Sequence, residues 1–168
     1  MATWNDHITE EHADLIKQSS LFFIATVDPG LQAGPNGEGA INMSPKGGVP
    51  LIVVGPNKVA YLDYAGSGNE TARHTGNGSP TTIMVCSFEE ENAGIVRLFG
   101  HGTAVPFEES SLAEKVLEHQ ATDLNLPQRQ VIEIDVSKTS TSCGYGVPIM
   151  EFVRGRSSSH RGRRFKAS

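Results

Sequence analysis

The sequence predicts a mainly β protein with short helices, arranged as a closed antiparallel barrel with helical additions. Three observations lead there. About six β-rich runs follow one another at the spacing of roughly 8–12 residues that marks sandwiches and barrels. Two or three short stretches carry helical signals, and no internal repeat is visible. The chain is heavily punctuated by turn formers, with 18 glycines and 9 prolines in 168 residues.

The elements follow in order. Thr9 is the candidate N-cap of a first helix, with Glu10 and Glu11 at its positive end and Lys17 in its last turn. Ala13, Leu15 and Ile16 form its apolar face. Residues 21–27 are apolar and β-rich and read as a buried strand, ended by Asp28-Pro29-Gly30. A glycine- and proline-rich loop leads to strands at 39–43 and 49–54, with Ser44-Pro45-Lys46-Gly47-Gly48 between them. Gly55-Pro56-Asn57 turns the chain into a strand over 58–64, with Val59, Tyr61 and Asp63 on one face and Ala60, Leu62 and Tyr64 on the other. Further strands are expected at 80–88, 94–105 and 130–136. The glycines at 100 and 102 suggest a bend or bulge. Residues 108–120 read as one amphipathic helix, with Leu112, Ala113, Val116 and Leu117 at helical spacing. Residues 142–148 read as a glycine-rich loop.

Composition bounds the function. The length suits one domain with a real core. No apolar run approaches the roughly 20 residues of a membrane helix, and the N-terminus has no basic, apolar leader pattern. Cytoplasmic location, no membrane contact and reduced thiols at Cys86 and Cys143 are expected. No Cys/His cluster has zinc-ligand spacing, so no metal is expected. The net charge of −5 is unevenly spread, because residues 154–168 hold six of the 14 basic residues and no acid. The remainder sets 8 basic residues against 19 acidic ones, a net of −11, and an acidic body repels nucleic acid. The division expected is therefore a domain over 1–153 and a basic, Ser/Arg-rich, solvated tail over 154–168, dispensable for ligand binding from about Arg156.

The stretch from Val59 to Asn77 carries the most chemistry. A strand runs into Gly66-Ser67-Gly68-Asn69-Glu70-Thr71, then a helix with Arg73 and His74. Ser67 and Glu70 have capping-box spacing. The residues alone leave two readings open: a tight capped turn, or a phosphate cradle built from backbone N–H groups, the hydroxyls of Ser67 and Thr71, Asn69 and the Arg73 fork. A third fingerprint glycine and a Gly-Lys-Thr/Ser ending are both missing, so neither a dinucleotide turn nor a P-loop is indicated.

Four motifs in order and spacing then resemble a known family. Ser44-Pro45-Lys46-Gly47, Tyr61-Leu62-Asp63-Tyr64 with Gly66-Ser67-Gly68-Asn69-Glu70-Thr71, Arg97-Leu98-Phe99-Gly100-His101-Gly102, and Ser142-Cys143-Gly144-Tyr145-Gly146-Val147-Pro148 are similar to those of the pyridoxamine 5′-phosphate oxidase-like flavoproteins. The match runs over about 8–152. The resemblance implies a split antiparallel β-barrel with FMN at a homodimer interface. It implies that Asn42, Met43, Ser44 and Lys46 meet the flavin, that Leu62 and Asp63 continue that wall, and that Ser67, Asn69, Thr71 and Arg73 hold the phosphate. Arg97, Cys143, Gly144 and Tyr145 would approach from the other subunit. It implies an FMN-dependent oxidoreductase acting on a small molecule that the sequence does not specify. Family enzymes that oxidise pyridoxamine phosphate carry an additional basic segment with no counterpart after Pro148, so vitamin B6 synthesis is not expected.

Alternative roles stand beside these. Lys46 reads equally as a solvated turn residue or as a cation that stabilises reduced flavin. Cys143 reads as a buried structural thiol rather than a reactive one, and His74 and His101 as structural rather than proton-shuttling. Tyr145 is a packing residue or a ring that stacks on flavin. The same barrel could serve as a flavin carrier without turnover, or could bind haem or a deazaflavin.

Overall fold

Each run of alternating residues becomes a strand, and the computed structural model describes residues 2–66, 68–76, 78–120 and 127–155. The elements are β1 (Thr3–Asn5), α1 (Glu10–Gln18), β2 (Phe22–Val27), β3 (Ile41–Lys46), β4 (Ile52–Gly55), β5 (Lys58–Tyr64), α2 (Glu70–Gly76), β6 (Pro80–Cys86), β7 (Gly94–Pro106), α3 (Ala113–Glu118) and β8 (Gln128–Cys143). The strands form one antiparallel sheet in the order β3-β2-β6-β7-β8-β5-β4, with β1 added on β8.

The sheet rolls up. β2 and β5 are separated by three strands in the hydrogen-bonded order, yet the rings of Phe22 and Tyr61 meet edge to face at 5.2 Å. Their side chains join Ile24, Val59, Ile83, Val85, Leu98, Ile132 and Ile134 in one core. α1 packs Ile16 on this core, and Thr9 caps the helix as expected. The reciprocal partner in the capping box is His12, whose Nε2 also contacts Thr141 Oγ1 of β8 at 2.7 Å. The opposite face of β5 feeds a second core of Ala60, Leu62, Val116 and Val131, beneath α3. The two faces expected for 58–64 are therefore both buried, against different partners.

Several expectations need correction. The barrel is split: the edge strands β3 and β4 do not pair with each other among the described residues, so the closed form suggested by spacing gives way to the split form. The sheet has eight strands, the seven expected and the short β1. β3 runs on through Pro45 because it is an edge strand, where a missing N–H costs no ladder bond. β8 reaches Cys143, so the glycine loop starts only at Gly144. The helix expected over 108–120 is shorter, with a 3-10 turn at Phe107–Glu109 before α3. Ser110 separates the two, because its Oγ accepts from Leu112 N at 3.1 Å and donates to Glu133 Oε1 at 2.9 Å, competing with the helix backbone. The bulge expected near Gly100 is present, and a Cβ there would lie 1.9 Å from the Asp135 carbonyl oxygen.

Candidate functional site

The gap between the two sheet edges is closed by side chains. Along β3, Asn42, Ser44 and Lys46 are half-buried on one face, while Ile41, Met43 and Pro45 are exposed on the other. Lys46 Nζ reaches across to Asp63 Oδ1 on β5 at 3.6 Å and sits 5.6 Å from the Tyr61 ring centre. Asp63 Oδ2 accepts from Arg129 Nη2 at 2.6 Å, Arg129 Nε at 3.2 Å and Gln130 Nε2 at 2.8 Å. The same two β8 residues hold the turn before α2. Arg129 Nη2 donates to the Gly68 carbonyl at 3.0 Å, and Gln130 Nε2 to Asn69 Oδ1 at 3.1 Å. One carboxylate thus ties β3, β5, β8 and, through its partners, the glycine turn.

A cavity of about 910 Å³ opens beside this cluster. Ser44, Lys46, Leu62, Asp63, Asn69 and Thr71 line it, together with the end of α1, residues 86–89 and the segment 150–155. Leu62 borders the cavity, while its fully buried side chain belongs to the second core beneath α3. Met150 N donates to the Phe88 carbonyl at 3.0 Å and holds the last segment against the mouth. Cys86, also lining, is buried, and burial raises its thiol pKa while Arg97 opposes the shift. Tyr61 lies within the adjoining core. Its hydroxyl is buried without a hydrogen-bond partner among the described residues. Burial and then the Asp63 carboxylate hold the phenol protonated, opposed by Thr71 and Arg129.

A buried polar chain runs behind the cavity. Asp28 Oδ2 accepts from Arg73 Nη1 at 3.3 Å, and Arg73 Nη2 lies 3.0 Å from His74 Nε2. His74 Nδ1 is 3.0 Å from Thr26 Oγ1. Asn42 Nδ2 donates to Thr26 Oγ1 at 3.3 Å and Thr71 Oγ1 at 3.1 Å, while Ser44 Oγ donates to Asn42 Oδ1 at 3.1 Å. Burial, then the Arg73 charge, lowers the His74 pKa, so the ring is neutral.

The remaining expected residues lie elsewhere. Met43 points to the exposed face, and Asn42 is one layer behind the cavity. Arg73 is engaged by Asp28 and His74, away from the lining. Ser67, and with it the proposed cap, falls outside the described residues. Gly68 does not carry a left-handed φ, and a Cβ there would meet the end of Glu70 at 3.0 Å, so this turn does not demand glycine. Arg97 donates to Ser142 Oγ at 3.2 Å, and Gly144 packs against Gly94. Tyr145 is 96 % exposed. Cys143 is exposed rather than buried, and both thiols are free. His74 is buried and hydrogen-bonded, whereas His101 is exposed. Arg129, Gln130 and Thr26 were not legible as site residues. The one available signal was that Asp63 and Gln130 fall on strands, whose register pairs them directly.

With this geometry in view, the relationships of the chain are clear. Residues 8–143 match the family described as Pyridoxamine 5'-phosphate oxidase, and the chain belongs to it. The Aspergillus flavus pyridoxamine 5'-phosphate oxidase family protein ustO is 32% identical over 156 residues, which are 91% of this chain and 59% of that protein. The chain therefore spans about 59% of that relative's length. A variant of Group A Streptococcus HupZ superposes with a TM-score of 0.57 at 19% identity, covering 80% of this chain and 99% of that one. An FMN-binding protein of Syntrophomonas wolfei gives a TM-score of 0.57 at 13% identity, covering 79% and 84%. These two likenesses define a shared fold. Among the described residues no helix is long and apolar enough to cross a membrane, and no group of His, Cys, Asp and Glu is arranged to hold a metal.

Proposed function

We propose that the cavity between β3 and β5 binds FMN and that the protein is an oxidoreductase passing electrons between a reduced nicotinamide and a small acceptor. One observation carries this reading. Ser44, Lys46, Leu62, Asp63, Asn69 and Thr71, drawn from two separate sequence motifs, line a single cavity. Its volume lies within the roughly 300–1,000 Å³ usual for cofactor sites. The donor set suits the group. Thr71 and the free amide of Asn69 would hold the phosphate with the N–H groups of the first turn, since that turn has no intrahelical partners for them. α2 has seven residues, so hydroxyl and amide donors matter more here than its dipole. The Tyr61 hydroxyl, buried without a hydrogen-bond partner among the described residues, lies behind Thr71 at this end of the site. Lys46 would stand by the electron-rich edge of the ring and favour its reduced form. When bound, the isoalloxazine supplies two-electron chemistry; the protein binds, orients and shields it.

The reading extends to a homodimer. Arg97, Cys143, Gly144 and Tyr145 lie off the cavity of their own chain, which is compatible with their serving a second copy. Of the basic tail, Arg154 and Gly155 line the cavity, and the residues from about Arg156 are given no part in the site. The absorption spectrum of the purified protein tests the cofactor. Oxidised-flavin bands are expected, while a haem band or the flavin-like but shifted spectrum of a deazaflavin would replace this reading. Turnover is tested by nicotinamide oxidation with added acceptors, and a flavin-loaded protein without it would be a carrier.

A further inference from the structure

The hydrogen bonds around Asn42 have a direction, and that direction decides what the cavity offers a ligand. Arg73 can only donate. Its Nη2 lies 3.0 Å from His74 Nε2, so Nε2 is the acceptor and the ring proton sits on Nδ1. Nδ1 then donates to Thr26 Oγ1 at 3.0 Å. Asn42 presents its amide N–H groups to Thr26 and Thr71 at 3.3 and 3.1 Å, and its oxygen to Ser44 at 3.1 Å. Two cavity hydroxyls are thereby left with opposite capacities. Ser44 has given its proton to Asn42 and can only accept from a ligand. Thr71 has accepted from Asn42 and keeps its own proton to donate, to a ligand or to the neighbouring Tyr61 hydroxyl.

We infer that Asn42 is a positioning residue that sets Thr71 as a donor for an anionic group and Ser44 as an acceptor for an N–H group of the same ligand. The inference rests on the flavin reading above. Asn42 does not line the cavity. His74, Thr26 and Thr71 are buried, so water does not readily substitute for any link in the chain. Arg73 and Asp28 secure the far end at 3.3 Å, which keeps the imidazole in one tautomer. A ligand with a phosphate at one end and an imide N–H at the other matches both capacities. FMN has both groups, and riboflavin lacks the phosphate.

The test titrates FMN and riboflavin, by quenching of flavin fluorescence, against wild type, Asn42→Ala, Thr71→Val and the double variant. Thr71→Val is expected to lower FMN affinity about tenfold or more and riboflavin affinity less than about threefold. Asn42→Ala is expected to reduce the preference for FMN over riboflavin similarly, and the double variant no further than Thr71→Val alone. It should also weaken riboflavin, through Ser44. Thr26→Val keeps side-chain size and is expected to reduce the same preference in a protein that folds even if Asn42→Ala does not. Additive losses in the double variant would make Asn42 a direct ligand contact and overturn the inference. Wild type that binds neither flavin overturns the flavin reading and the inference with it, and is told apart from the first case by failing before any substitution is made.

Discussion

Asp63→Asn is the most informative single substitution for the architecture of the site. It keeps the shape of the side chain and removes its charge. In the native protein that charge receives two donors from Arg129, at 2.6 and 3.2 Å, one from Gln130 at 2.8 Å, and the Lys46 ammonium at 3.6 Å. Hydrogen bonds to charged groups contribute about 1.5–3 kcal/mol and neutral ones about 0.5–1.5, so each contact retained in neutral form still loses roughly 1 kcal/mol. Asp63 is 14 % exposed, and its cationic partners are 22 % and 25 % exposed, so solvent recovers only part of the loss. With Lys46 and Arg129 left facing each other without a counter-charge, a total of about 2–3 kcal/mol is expected. For a domain of this size that is a fall in Tm of roughly 5–10 °C. Thermal melting by circular dichroism at neutral pH and low salt is the assay. A shift below about 2 °C would refute the claim that this carboxylate closes the split.

The remaining predictions address cofactor grip, packing and pH. Thr71→Ala and Asn69→Ala should each lower FMN affinity roughly ten- to hundredfold and barely change riboflavin, measured by fluorescence titration; equal losses would return the turn to a shaping role. Gly100→Ala should prevent the native β7–β8 pairing, since its Cβ would fall 1.9 Å from the Asp135 carbonyl oxygen, and a variant that melts like wild type would contradict the close approach. Burial lowers the pKa of both His12 and His74 from the ordinary value of 6.5, so the unfolded chain binds protons that the folded one refuses. Stability from these groups is present above about pH 6.5 and is lost as pH falls below it; Tm should therefore drop between about pH 7.5 and pH 5.5, less steeply in His12→Gln, and a flat profile would show that neither ring is held neutral.

Much of the fold was legible because burial imposes alternation. Val59 and Tyr61 face one core, and Ala60 and Leu62 the other, as the pattern over 58–64 indicates. The end of β8 was not legible. Residues 137–143 are mostly Ser, Thr and Lys, yet they pair with β7 on one side and, in part, with β1 on the other. Their stability comes from partners distant in sequence, such as Thr139 Oγ1 donating to the His7 carbonyl at 2.9 Å. Pro45 hid the continuation of β3, because a proline ends a central strand but not an edge strand. In the site, the motifs identified Ser44, Lys46, Asp63, Asn69 and Thr71. They could not reveal Arg129 and Gln130, which reach Asp63 through a register linking positions 66 and 67 residues apart. Nor could they reveal that Arg73 meets a buried histidine and Asn42 that histidine's partner Thr26, since that depends on which side of β3 and α2 turns inward.

The measurement closest to the central claim is a titration of the purified, flavin-stripped protein with FMN and with riboflavin, followed by visible absorption and by light scattering. The account predicts saturable binding of FMN about tenfold or more tighter than riboflavin, at one flavin per chain, on a particle of two chains. Equal affinity for the two flavins, or no binding of either by a folded protein, would contradict it.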